Sequence, residues 1–281
     1  MTRLHDRIRR SLSEPASRWY DGLAEPLSEL AWQSLARHDI DTSNYGTARV
    51  LALSSQAPRR GSVMRDAGMQ RAIPLELYDV AMLSRYGTIG LREPRSDLDT
   101  RHFEQSLREA MAWIDMAPGA ARAVRALVWS VTPVDVEGPE YDTGYSDPGV
   151  PFSIFVGAHK ANHEVPAIRL AEGVLHEAMH LQLSLIEDLV PLVAGEAEYR
   201  HSPWQSRLRP TQGVLHGLYV FKAVQDWLTV VSAGTHVDAA TLVHCRKRMV
   251  EIAAECAQLQ DLTASQDLTS DGRLLATALL K

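Results

Sequence analysis

His176-Glu177-Ala178-Met179-His180 is the run in this chain whose residue types and spacing most plainly suit chemistry. On a helix, residues i and i+4 lie one turn apart on the same face, so two imidazoles can hold one metal ion. Glu177 stands about 100° round the helix from His176, where it can act as a base or hold a metal-bound water. The flanking residues fit such a helix. Leu170, Val174, Ala178, Leu181 and Leu185 form one stripe, and Leu175, Met179 and Ile186 widen it. The remaining arc carries Arg169, Glu172, Gly173, His176, Glu177, His180 and Ser184. A helix apolar over most of its circumference, with its titratable groups on one arc, is expected to be buried on most sides and to line a polar cavity. Gly173 costs such a helix about 1 kcal/mol relative to Ala but leaves room beside His176. The plain alternative is two surface histidines on an amphipathic helix.

A metal needs at least one more protein ligand, and Glu196, Glu198, His201 and His216 are the candidates. Glu196 or Glu198 would suit a zinc peptidase of the His-His-Glu type. His216 begins a strongly apolar stretch, where a lone histidine is by default a satisfied core residue. Gly213 and Gly217 flank it, however, and let another element approach closely, which favours a ligand. Just upstream lie Arg207 and Arg209. Arg209 stands two residues ahead of Thr211, near the positive end of the expected helix, where a guanidinium can grip a carboxylate bidentately with help from free amides. The alternative is an arginine on a solvated loop.

The segments RLAEGVLHEAMHLQLSLIEDL and SPWQSRLRPTQGVLHGLYVF resemble the HExxH-type 2-oxoglutarate-dependent peptide β-hydroxylases, which modify ribosomally made natural products. The upstream YSDPGVPFSIFVG also looks like the stretch this family carries before its metal helix. The resemblance is strongest over about residues 141–227 and weaker over the first 120. It implies a mononuclear non-haem Fe(II) centre, 2-oxoglutarate as cosubstrate, dioxygen, and a precursor peptide hydroxylated at a side-chain β-carbon. It implies His176 and His180 as metal ligands, His216 as the third, and Arg209 as the clamp for the distal carboxylate. Arg207 is the alternative clamp, because this chain has Gln205 where the family often has Arg soon after SPW. Three protein ligands on one face leave three positions, two for the 2-oxo acid and one for dioxygen. Glu177 is then not needed as a hydrolytic base and would orient a ligand or the substrate amide, or bind metal itself. Two other readings compete: a zinc metallopeptidase with Glu177 as general base, and a silent module that holds a peptide leader in the same cavity.

The elements that must position these residues are mostly helices. Apolar spacing predicts helices over 17–37 (with a break at Pro26), 74–86, 100–116, a short one from 119, then 167–190, 211–232, 238–260 and 271–280. Thr211 and Asp271 are expected N-caps. Strands are expected over 126–136 and 152–157, with a loop at 137–151 and a long charged loop at 191–210. The expected class is mainly α with a small β-sheet (α+β), in a single domain over 1–281. A subdivision is allowed into a helical peptide-recognition part, 1–120, and a metal and cosubstrate part, 121–281.

Composition sets the outer bounds. The 281 residues carry 29 Lys and Arg against 35 Asp and Glu, and the net charge of −6 argues against a nucleic-acid binder. Six of the 11 histidines fall between 159 and 216. Cys245 and Cys256 lie three helical turns apart, roughly 16 Å, too far for a disulfide. The N-terminal arginines are followed by no apolar signal region, and no apolar run is long enough to cross a membrane. A cytoplasmic protein with no membrane partner is the expectation; the oligomeric state is not legible.

Overall fold

The computed structural model describes residues 2–13, 18–36, 60–64, 73–77, 86–87, 91–92, 99–135, 144–147, 152–157 and 165–281. The chain is mainly helical with a small mixed sheet. Helices α1 (Thr2–Ser13) and α2 (Asp21–Ala36) precede strands β1 (Arg60–Met64) and β2 (Ile73–Glu76). Then come α3 (Thr100–Asp115), α4 (Pro118–Leu127), β3 (Ser130–Val134), β4 (Gly144–Ser146) and β5 (Ser153–Gly157). The second half runs α5 (Pro166–Glu187), β6 (Tyr199–Ser202), β7 (Arg207–Pro210), α6 (Thr211–Ser232), α7 (Ala239–Ala257) and α8 (Ser270–Leu279).

The five-stranded sheet has the order β1-β2-β3-β5-β4. Its centre, β3 and β5, is parallel with Val131 opposite Ile154, and every residue of both strands is buried. That is why these strands read as unbroken apolar runs: both faces are covered. Short β4 pairs antiparallel on the edge and leans against α5. Helix α5 is the axis of the molecule. Pro166 sits in its first turn, where a missing N–H costs nothing, and α2, α3, α4, α6 and the sheet edge pack around it. One continuous core runs from Ile8 to Leu279.

Several expectations need correction. Residues 73–76 form strand β2, not part of a helix over 74–86; Ile73, Leu75 and Glu76 are buried in the sheet, and pairing overrode a pattern too short to fix its period. The expected loop 137–151 contains β4, and the rest of it up to 143 lies outside the described residues. The expected loop 191–210 closes into the hairpin β6–β7, with Arg200 opposite Arg209. The strand expected from 126 starts at Ser130 because α4 runs on to Leu127. Pro26 does not break α2; it sits in the second turn. The residue at the N-cap position of α6 is Pro210, and Thr211 bonds through Oγ1 to the buried Ser265 and Asp267 instead. The cap of α8 is Thr269, two residues before Asp271, which pairs with Arg9. Both cysteines are free and buried. Among the described residues no helix is long and apolar enough to cross a membrane.

Candidate active site

Helix α5 presents His176 and His180 on one face, as the spacing requires. The His176 ring stands edge-on to His180, with centroids 4.8 Å apart. On the other side of His180 lies His216 from α6, nearly parallel at 16° and 5.6 Å. The three imidazoles therefore form a row with His180 in the middle. The Nδ1 atoms of His180 and His216 are 3.4 Å apart. Two nitrogens held by one ion at about 2.0–2.1 Å, at ligand angles between about 90° and 109°, lie about 2.9–3.4 Å apart, so this spacing suits a shared metal. Among the described residues no three His, Cys, Asp or Glu side chains already converge on one point. His176 Nε2 lies 3.9 Å from Glu177 Oε1. The donor chemistry fits. Burial, then the neighbouring His176, His216 and Arg209, hold His180 well below the ordinary histidine range, so its ring is neutral, the form that ligates metals.

The row is locked from behind. Tyr219 Oη on α6 donates to Gln182 Oε1 on α5 at 2.6 Å, and Gln182 Nε2 donates to the Tyr20 carbonyl at 3.3 Å. Tyr20 stacks on Tyr219 at 5.7 Å. Both Gln182 and Tyr219 are fully buried. On the far side of His216, its Nε2 lies 2.8 Å from Glu187 Oε2, and Gln212 Nε2 donates to the same oxygen at 2.9 Å.

Glu177 is buried beneath β4. A Cβ on Gly144 would collide with its carboxylate, so the strand approaches this closely only because residue 144 is glycine. Burial pushes the Glu177 carboxyl up to about 8, with a hydrogen bond from Ser146 pulling the other way. The group therefore holds its proton near neutral pH.

A cavity of about 990 Å³ opens in front of these groups. Its described lining runs from residue 144 to residue 255 and includes His176, Glu177, His180 and Arg209. His216 lies behind His180, outside the lining. Arg209, delivered by β7, lays its guanidinium over the first turn of α6. A Cβ on Gly213 would stand 3.0 Å from Arg209 Cζ and Nε, so the glycine makes room for the arginine. Among the described residues no carboxylate pairs with Arg209. Gly217 plays the same part for Trp204, whose ring would meet a Cβ there. Trp204 in turn stacks on Phe221 at 4.8 Å, and Phe221 meets His176 edge-on at 5.0 Å. Gly173 has open space beside it.

The other sequence candidates lie elsewhere. Arg207 is exposed, outside the lining, and its Nε donates to Gln205. Glu196 is exposed. Glu198 is engaged by Arg200 at 2.9 Å and by Ser265 at 2.7 Å. His201 is exposed on β6 rather than on a loop. His159 and His163 lie outside the described residues. Asp147 follows β4, is buried, and accepts from Tyr86 Oη at 3.1 Å. Reading the sequence missed Glu187, although it stands seven residues after His180 on the same helix face. It also missed the opposite wall, where Glu172 accepts from Arg248 Nε at 2.9 Å and Arg248 sits over Phe221. No protein-family model matches the chain, and no curated protein matches it.

Proposed function

We propose that this chain is an Fe(II)- and 2-oxoglutarate-dependent dioxygenase that hydroxylates a side-chain β-carbon of a ribosomally made peptide. The observation that carries this reading is the conjunction of the row His176, His180 and His216 with an arginine, Arg209, that faces the cavity lined by His176 and His180 and has no carboxylate partner among the described residues. The three imidazoles would hold the iron. With 2-oxoglutarate and dioxygen the iron supplies an oxidant able to take hydrogen from an unactivated carbon.

The chain's own residues do the rest. Arg209 would bind the distal carboxylate of 2-oxoglutarate through paired N–H donors. Gly213 keeps that guanidinium close to the start of α6. Glu177, carrying its proton, would donate to the peptide amide beside His176. Trp204 and Phe221 give one wall of the cavity an apolar surface that excludes water. The cavity volume is at the upper end of that of small-ligand sites, with room for a peptide segment beside the cosubstrate. Recognition of the rest of the peptide would fall to surfaces outside the cavity, residues 1–120 among them.

Anaerobic addition of Fe(II) and then 2-oxoglutarate tests this reading. The expected result is a visible charge-transfer band that needs both components and is absent in His180→Ala. A protein that gains no band, yet cleaves peptides with zinc and without oxygen, would be a peptidase instead.

A further inference from the structure

Glu187 is the last residue of α5, and its Oε2 gathers two groups from α6, Gln212 Nε2 at 2.9 Å and His216 Nε2 at 2.8 Å. A carboxylate only accepts, so the proton of this bond sits on His216 Nε2. A neutral imidazole has one donor and one acceptor nitrogen. In the neutral ring that ligates a metal, the lone pair then falls on Nδ1, the atom that lies 3.4 Å from His180 Nδ1. We propose that Glu187 is the positioning residue of the metal centre. It fixes the Nε2–H tautomer and the ring orientation of His216 so that Nδ1 faces the ion. This rests on the reading in which His216 is the third metal ligand.

Three features set this contact apart from an ordinary ion pair. Both side chains are only 13% exposed, so the bond is not a solvated surface contact of negligible weight. Gln212 donates to the same oxygen and so holds the carboxylate in place independently of the histidine. Helix α5 also supplies both ends of the arrangement. His180 and Glu187 are two turns apart, about 10 Å along one face, and the His216 ring lies between them. Any shift of α6 relative to α5 that loosened His216 would have to break a hydrogen bond at a helix end. Glu187 is not itself placed as a ligand, because the ring of His216 separates it from His180. Carboxylates that take the outer N–H of a metal-bound imidazole typically change metal affinity by about 10–100-fold.

The test uses the full-length protein, Co(II) and Zn(II) as probes, and four variants: Glu187→Ala, Glu187→Gln, His216→Ala and the double variant Glu187→Ala/His216→Ala. In metal-free protein, ring-nitrogen NMR should show His216 as the Nε2–H tautomer, and Glu187→Ala should give a mixture. Metal titrations should show a loss of about 10–100-fold in Glu187→Ala with an altered Co(II) visible spectrum. Glu187→Gln, whose amide oxygen still accepts from Nε2–H, should recover most of that loss. In the His216→Ala background the second substitution should cost nothing further. Should Glu187→Ala fail to fold, the Glu187→Gln titration and the wild-type tautomer carry the test. Unchanged affinity and spectrum in Glu187→Ala, with wild-type metal binding intact, would overturn this inference alone. Loss in Glu187→Ala that Gln does not restore and that adds to His216→Ala would make Glu187 a ligand and overturn it as well. A wild-type protein that takes up no metal would remove the metal site together with it.

Discussion

Glu177 and Arg209 are charged side chains that burial treats in opposite ways. Glu177 is nearly sealed beneath β4, and its carboxyl moves from an ordinary 4.5 up to about 8. Between those values the folded protein keeps a proton that the unfolded chain has released, so stability falls as pH rises through that window. In metal-free protein the decline should be on the order of a few kcal/mol. Glu177→Gln should flatten it, and thermal unfolding at several pH values from about 5 to about 8 checks the slope. Arg209 keeps its charge; burial and the nearby Arg207 lower its affinity for protons only from a very high starting point. Removing its paired donors should weaken 2-oxoglutarate binding by about 10–100-fold, the worth of charge-assisted hydrogen bonds. Arg207→Ala should leave that affinity within about twofold, because its side chain lies outside the cavity lining. Calorimetric titration of both variants makes the comparison. The sequence distinguished these arginines only weakly. The pleat of β7 does not separate them, because residues two apart share a face; Arg209 packs against Gly213 at the start of α6, whereas Arg207 bonds to Gln205.

At the scale of elements, the histidine pair was fully legible. The period of α5 alone puts His176 and His180 on one arc, and the helix lies between Pro166 and Glu187 against an expected 167–190. Helix α6 was equally clear, because apolar residues repeat through all its turns. The hairpin β6–β7 was not. Its residues alternate poorly, three of the four in β6 are charged or polar, and Asp267, seventy residues downstream, anchors the approach to it by accepting from the Ala197 and Glu198 amides. No local pattern encodes such a partner. The glycines beside His216 are places of close approach: Gly213 receives Arg209 and Gly217 receives Trp204. Gly213→Ala should therefore leave the melting temperature nearly unchanged, since a flexible side chain can yield by a few tenths of an ångström. It should instead lower 2-oxoglutarate affinity several-fold by displacing the guanidinium, which the same titration measures.

Over the whole molecule, the first helices and α5 share a core, although the described cavity lining comes entirely from residues 144–255. Ile8 and Leu12 on α1 are fully buried, and Arg18 ties the segment before α2 to Asp226 on α6 at 2.7 Å. Deleting residues 1–13 should cost several kcal/mol, about 1.5–3 for each of the two buried side chains, and lower the melting temperature accordingly. Strand β2 escaped notice because its pairing with β3 crosses a long stretch of chain, which no local period reports, and β1 pairs only with β2. The central claim concerns chemistry in the cavity. Its most direct measurement is mass spectrometry of a candidate precursor peptide after incubation with this protein, Fe(II), 2-oxoglutarate and ¹⁸O-labelled dioxygen. The predicted result is one ¹⁸O atom added to the peptide, with succinate formed in step and neither product made by His180→Ala. An unlabelled or cleaved peptide, formed equally well without oxygen or 2-oxoglutarate, would contradict it.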